Sequence, residues 1–236
     1  MWIFSSLFLY SLLAMSVTPA KYELLLSTGE RNTIYFTVKN DKLEMMKVRV
    51  NSKYWFVLPE NKGIEIDSWL SFSPKEFYLK KGEGKRVICE VIVPKNASGF
   101  LNGMLSFNQI DSPTSVNITI SVPVYIIIKD NYSFDFEVRG LKRENEYLLV
   151  EIFNKGNVYF RPRGRIKMNR ERNFLIFKKK SFLFEKRFKE ERHIFPGSSG
   201  YVKLGNLGLK DGKYEVILEL EFWGDKKIRK KIVVLK

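Results

Sequence analysis

SVNITISVPVYIIIK, residues 115 to 129, is long, rich in β-branched side chains and close to the middle of the chain. Val116, Ile118, Ile120, Val122, Val124, Ile126 and Ile128 all fall on even numbers. Successive side chains of an extended backbone point to opposite faces, so all seven share one face. On the other face Asn117, Thr119 and Ser121 are polar whereas Tyr125 and Ile127 are apolar. The strand is therefore expected to begin half exposed and to end covered on both sides. Pro123 has no N–H to give to a ladder, which predicts an edge position or a kink there.

Around this strand the chain divides into two parts of similar size, and 236 residues suffice for two sandwiches of roughly 100 residues each. The net charge is +15 with a pI near 9.7. It is unevenly placed: residues 1–130 carry 15 Lys/Arg against 12 Asp/Glu, and residues 131–236 carry 26 against 14. That asymmetry points either to an anionic partner of the second half or to a generally lysine-rich composition. Cys89 is the single cysteine, so no disulfide framework exists and stability must come from the cores. In KRVICEVIV, residues 85–93, it alternates with Val87, Val91 and Val93, which predicts a small buried residue.

Residues Trp2 to Val17 form an uncharged apolar run of 16, short for a membrane span and placed as the core of a signal peptide would be. Ala14-Met15-Ser16 offers small residues at the spacing a signal peptidase requires, and Thr18-Pro19-Ala20 is a second choice. No basic residue precedes Trp2, which leaves an uncleaved anchor as the alternative. The expected organisation is a signal peptide over residues 1–16, or up to 20, then β-sandwich domains over 17–130 and 131–236.

From Ala20 onward the text is short strands and turns. Lys21–Ser27 is a first strand; Asn32–Asn40 and Glu44–Val50, joined at Asn40-Asp41, read as a hairpin. Glu76–Leu79, the Cys89 strand and Phe100–Phe107 lead to the central strand. In the second half Tyr132–Val138, Glu146–Phe153, Arg161–Met168, a hairpin within Phe174–Phe188, Tyr214–Phe222 and Ile228–Leu235 are the expected elements. The fold class is all-β, with two consecutive immunoglobulin-like sandwiches.

Catalysis needs convergent titratable groups, yet the chain holds one histidine, His193, one cysteine, and no G-x-S-x-G, phosphate-binding glycine loop or H-E-x-x-H. A His-dependent triad is excluded. One His and one Cys do not make a zinc site, and no calcium-loop spacing of Asp and Glu occurs. The protein is expected to be no enzyme and to carry neither cofactor nor metal.

Trp69-Leu70-Ser71-Phe72-Ser73-Pro74, then Phe77-Tyr78-Leu79, Gly82-Glu83-Gly84-Lys85-Arg86-Val87 and Val91-Ile92-Val93-Pro94 resemble the first domain of bacterial periplasmic pilus-chaperone-like proteins. Asn154-Lys155-Gly156-Asn157 with Pro162 and Gly164, then Pro196-Gly197 and Gly212-Lys213-Tyr214, resemble the second domain of the same group. The resemblance implies an exported, periplasmic or extracellular module whose protein partner is a pilus or surface subunit. It also implies strand addition: the last strand of domain one lends alternating apolar side chains to an incomplete partner. Val116, Ile118, Ile120 and Val122 match that role, and equally match a strand that fills its own core. Such chaperones anchor their client's terminal carboxylate with an Arg on the first strand and a Lys on the last. Here the first strand offers only Lys21, and no Lys or Arg lies between Ser115 and Ile128.

The rival feature is Arg161-Pro162-Arg163-Gly164-Arg165-Ile166-Lys167, where Arg161, Arg163, Arg165 and Lys167 alternate and so share one strand face. Like charges in a row repel, which predicts an acidic neighbour in the fold or an anionic ligand such as a cell-envelope polymer or membrane surface. Nucleic acid is not among the expected partners.

Overall fold

In the computed structural model, residues 15–42, 44–110, 117–174 and 177–235 are described, with backbone alone for 172–174, 177–179 and 232. The chain forms two compact units, Met1–Asn131 and Tyr132–Lys236. The expected leader lies mostly outside the described residues, as does Val116.

The first unit contains β1 (Met15–Thr18), β2 (Tyr22–Leu26), β3 (Arg31–Asn40), β4 (Met46–Lys53), β5 (Leu70–Ser73), β6 (Glu76–Leu79), β7 (Gly84–Ile92), β8 (Phe100–Ile110) and β9 (Thr119–Ile128). One sheet runs β1-β3-β7-β5 and the other β2-β9-β8-β4-β6. Alternation decides what fills the space between them. Phe36, Val38, Val87, Cys89 and Val91 from the first sheet meet Val48, Leu105, Phe107, Val124 and Ile126 from the second, all at 0% exposure. Trp69 lies under β8, where a Cβ on Gly103 would come within 3.0 Å of both Trp69 and Leu70. Only glycine lets the strand approach that closely.

The first strand region serves both sheets. Met15–Thr18 pairs antiparallel with β3, whereas Tyr22–Leu26 pairs parallel with β9. Pro19 lies in the step between them, where a missing N–H costs no ladder bond. β1 falls inside the apolar run read as the end of the leader, and the sequence reading placed no strand there.

Two expected hairpins are corrected. β3 and β4 do not pair; they belong to opposite sheets. The cause is Asn40, fully buried at the end of β3, whose Nδ2 donates to the carbonyls of Glu44 (2.7 Å) and Leu79 (3.1 Å) while Oδ1 accepts the Lys42 N–H (2.8 Å). These bonds build a corner that sends the chain across the sandwich in place of a tight turn back.

The second unit contains β10 (Phe136–Glu144), β11 (Tyr147–Asn154), β12 (Arg163–Phe174), β13 (Phe177–Lys189), β14 (Ser199–Lys203), β15 (Gly212–Phe222) and β16 (Asp225–Leu235). Its sheets run β10-β11-β14 and β13-β12-β15-β16. Phe136, Val150 and Ile152 from one sheet and Ile166, Met168, Val216, Leu218 and Leu220 from the other are buried. The hairpin expected within Phe174–Phe188 is the second correction. β12 and β13 pair along their whole length, from Arg163↔Lys189 to Phe174↔Phe177, so the reversal comes earlier and that stretch is mostly one strand. No Gly, Pro, Asn or Asp interrupts FKKKSFLFEKRFK to mark a turn within it. Asn154 repeats the corner of Asn40: it is buried, donates to Val158 O (2.7 Å) and Ile194 O (2.9 Å), and accepts the Gly156 N–H (2.9 Å).

Candidate functional site

β9 is bonded to β8 along its whole length, in register from Asn108↔Thr119 to Phe100↔Ile127. Gln109 N–H donates to Ile118 O at one end and Ile128 N–H to Gly99 O at the other. Antiparallel pairing alternates bonded and non-bonded residues, so the even-numbered residues of β9 use their N–H and C=O on β8. The odd-numbered residues point theirs to the opposite edge. There β2 covers Val124 to Ile128 only, beginning at Tyr22↔Val124, and Lys129 N–H donates to Leu26 O. Before Val124, among the described residues, no strand pairs with that edge. The N–H and C=O groups of Thr119 and Ser121 therefore face outward as an unextended ladder. Pro123 stands at the junction, where its missing N–H is the one the open edge would otherwise present.

Side-chain burial changes at the same place. Val122 is 2% exposed, Val124, Ile126 and Ile128 are at 0%, and Ile118 and Ile120 are half-buried, packed on the core from one side. The outward face is polar over the open half: Ser106 and Ser121 hydroxyls bond at 2.8 Å, and Thr119 Oγ1 donates to Asn108 Oδ1 at 2.9 Å. Over the closed half it is apolar and covered. Trp55 packs on Tyr125 with ring centroids 6.3 Å apart, and Phe56 stacks on Phe100 at the same separation.

Buried amides hold this cover down. Asn102 Oδ1 accepts the Phe56 N–H at 2.8 Å and its Nδ2 donates to Phe56 O; Asn61 Nδ2 donates to Ser98 O and Phe100 O, and its Oδ1 accepts Ser98 N–H. At the far end Asp130 accepts from Ser27 Oγ (2.7 Å) and from the N–H and hydroxyl of Thr28, clasping β2 to β9. Those hydrogen bonds, Ser27 first, hold its carboxyl below the usual range. None of Asn61, Asn102 or Asp130 was legible as a site residue, because a lone Asn or Asp within a strand or loop has no pattern of its own.

Lys21 immediately precedes β2, so continuing the parallel register sets it abreast of Pro123, where the open edge ends. Its ammonium lies 3.4 Å from Glu23 and its side chain is 45% exposed. Ile118, Ile120, Val122 and Lys21 thus come together along one edge of the first unit.

The basic strand is a different matter. Arg163, Arg165 and Lys167 lie on one face of β12, while Arg161 precedes the strand. Arg163 is 3.8 Å from Glu221, Arg165 is 3.4 Å from Glu219 and 3.9 Å from Glu185, and Lys167 stands 5.6 Å from the Phe182 ring centroid. The acidic neighbours that like charges in a row call for are supplied by β13 and β15. Glu219 and Glu221 share a period of two in β15, which was the available signal for this pairing.

No family model matches the chain, and no curated protein sequence does. Solved structures do. A fimbrial chaperone described as the class 5 fimbriae chaperone CfaA matches with a TM-score of 0.54 at 16% identity, over 94% of this chain and 99% of that one. A chain of a chaperone–tip adhesin complex vital for the activation of CFA/I fimbriae biogenesis matches at 0.53 and 17% identity, over 94% and 98%. This chain therefore has the two-domain, immunoglobulin-like fold of the fimbrial chaperones.

Proposed function

We propose that this protein is an exported, non-enzymatic chaperone for a pilus or surface subunit, and that it works by adding a strand of its partner to the open half of β9. The observation that carries the reading is the coincidence, over residues 118–123, of an unextended ladder with half-covered apolar side chains. An incoming strand would find the N–H and C=O of Thr119 and Ser121 for its backbone. Ile118 and Ile120 would complete its core, as strand addition requires. In the likeness to a chaperone–adhesin complex the same kind of partner is named for a protein of this fold.

The edge also selects a direction. β2 runs parallel to β9 and begins beside Pro123. A partner strand parallel to β9 and in line with β2 would end at Lys21, bringing its terminal carboxylate to an ammonium. An antiparallel strand would bring an α-ammonium to the same ammonium, a repulsion. Lys21 therefore favours a parallel strand with a free carboxyl end.

Replacing Ser121 by Pro tests this reading. Pro removes an N–H that faces the open edge and leaves the bonds to β8 in place, as Pro123 already does. The variant should fold and fail to retain envelope proteins that the wild type captures. Equal capture would remove β9 as the docking strand.

A further inference from the structure

We infer that the second unit carries a strand-docking groove of its own, along the outer edge of β14, and that this groove takes a short extended peptide segment with acidic side chains. β14 is the last strand of the sheet β10-β11-β14, and among the described residues no strand pairs with its other side. Leu204 N–H donates to Leu148 O and Asn154 N–H to Ser198 O, so the even-numbered residues of this stretch bond to β11. Antiparallel pairing alternates, and Ser199, Tyr201 and Lys203 therefore turn their N–H and C=O groups outward. Lys203 fixes the direction: its N–H donates at 2.8 Å to Oε1 of Glu190, the residue that follows β13. A carboxylate of the chain itself thus occupies one rung of an otherwise unextended ladder.

Beside this edge lies a cavity of about 750 Å³, with Ser199, Tyr201 and Lys203 on one side and Glu190, Arg192 and Ile194 on the other. Pockets that hold a ligand span about 300–1,000 Å³. Five residues of an extended strand at about 3.3 Å each would run the length of β14, roughly 17 Å. Tyr147 and Tyr201 also line the cavity and are 41% and 42% exposed, which offers apolar area with little side-chain entropy to lose. The charge in the groove selects the occupant. Glu144 is held by Lys142 at 3.0 Å, and Glu190 is engaged by the Lys203 N–H. That leaves Arg192, and Lys203 with its ammonium 3.5 Å from the Tyr147 ring centroid, to meet incoming carboxylates. The open ladder calls for a peptide backbone and the surplus of cations for acidic side chains. Neither observation depends on the edge of β9.

The test uses the full chain and two capped, fluorophore-labelled hexapeptides, one of alternating Glu and Val and one of alternating Lys and Val, read by fluorescence anisotropy. The acidic peptide should bind saturably and the basic one should not. Tyr201→Pro removes the outward N–H and should weaken binding about tenfold or more. Tyr201→Val, which loses the ring and keeps the N–H, should bind more tightly than the proline variant. Lys203→Glu should weaken binding, and Glu190→Ala, which frees the Lys203 N–H, should strengthen it severalfold. Ser121→Pro in the first unit should bind this peptide as the wild type does; loss of binding there would assign the peptide to β9, against the inference. Amide hydrogen exchange needs no peptide: Tyr201 should exchange fast in the free protein, and Lys203 slowly until Glu190 is replaced. If Tyr201→Pro does not fold, Lys203→Glu and these exchange rates decide. No saturation up to millimolar acidic peptide, or a Tyr201 amide as protected as that of Val202, overturns the inference. So does equal binding by Tyr201→Pro and Tyr201→Val, which would make the groove a charged patch without strand pairing.

Discussion

Tyr22 stands opposite Val124, and at that pair the outer edge of β9 passes from open to closed. The proposed strand addition depends on the contrast between the two halves of this one strand. Its closed half is buried on both faces and clasped by Asp130. Its open half shows a partner two unpaired odd-numbered residues and two partly covered isoleucines.

Side-chain replacements should separate scaffold from site within a single strand. Val122→Asp buries a charge at a position 2% exposed and should unfold the first unit, whose stability is expected to be only about 5–15 kcal/mol. Ile118→Asp and Ile120→Asp meet solvent and should lower the melting temperature far less while abolishing partner capture. Melting curves of the three variants check this; uniform unfolding would assign all three residues to the core.

The second unit should lose stability in acid through Glu215. Its side chain is 3% exposed and is met by Lys180 Nζ (2.6 Å), Lys230 Nζ (2.7 Å) and Asn169 Nδ2 (2.8 Å). Burial pushes the carboxyl up, but the hydrogen bonds from Lys180, Lys230 and Asn169 prevail and hold it at about 2. A carboxyl depressed in the folded state stabilises above its ordinary value and loses that contribution as pH falls through the folded value. Stability should therefore drop between about pH 4.5 and pH 2. The full shift corresponds to about 3 kcal/mol; screening at the two lysines, 42% and 56% exposed, reduces it to about 1–2 kcal/mol. Urea unfolding of wild type and Glu215→Gln across that range measures it, and the wild-type loss should shrink in the variant.

Cys89 should behave as a silent thiol. It is fully buried in β7, and burial pushes it up to about 12, so almost no thiolate exists at neutral pH. A thiol reagent should label it only as fast as the first unit opens, with labelling becoming immediate in denaturant. Rapid labelling of the native protein would contradict the packing of the first sheet.

Asn40 and Asn154 should be equivalent. Replacing either by Ala strands two buried carbonyls and one N–H, a cost of about 2–4 kcal/mol. Chemical denaturation should show each variant destabilising its own unit.

The central strand was legible because its alternation is local: the even-numbered apolar residues predicted one covered face, which β9 shows from Val122 to Ile128, and Pro123, which predicted an edge position or a kink, lies just before the pairing with β2 begins. What covers each half was not legible, since the parallel partner β2 lies about a hundred residues earlier and pairing across that distance leaves no periodic signal. β1 was hidden because Met15-Ser16-Val17-Thr18 continues the apolar run of a leader, and a strand residue and a leader residue look alike. Asn40 misled the hairpin reading because an Asn-Asp turn and a buried asparagine corner use the same letters. The acidic partners of Arg163 and Arg165 were visible as letters but not as neighbours, which only the β12–β15 register supplies.

Amide hydrogen exchange, read residue by residue in the free protein, tests the open edge most directly. Ile120 and Val122, bonded to β8, should be protected, as should Tyr125 and Ile127, bonded to β2, while Thr119 and Ser121 should exchange at rates near those of an exposed chain. On addition of the captured partner the Thr119 and Ser121 amides should become slow. Protection of Thr119 and Ser121 equal to that of Tyr125 in the free protein would mean that the edge is already closed, and the account of β9 as a docking strand would be wrong.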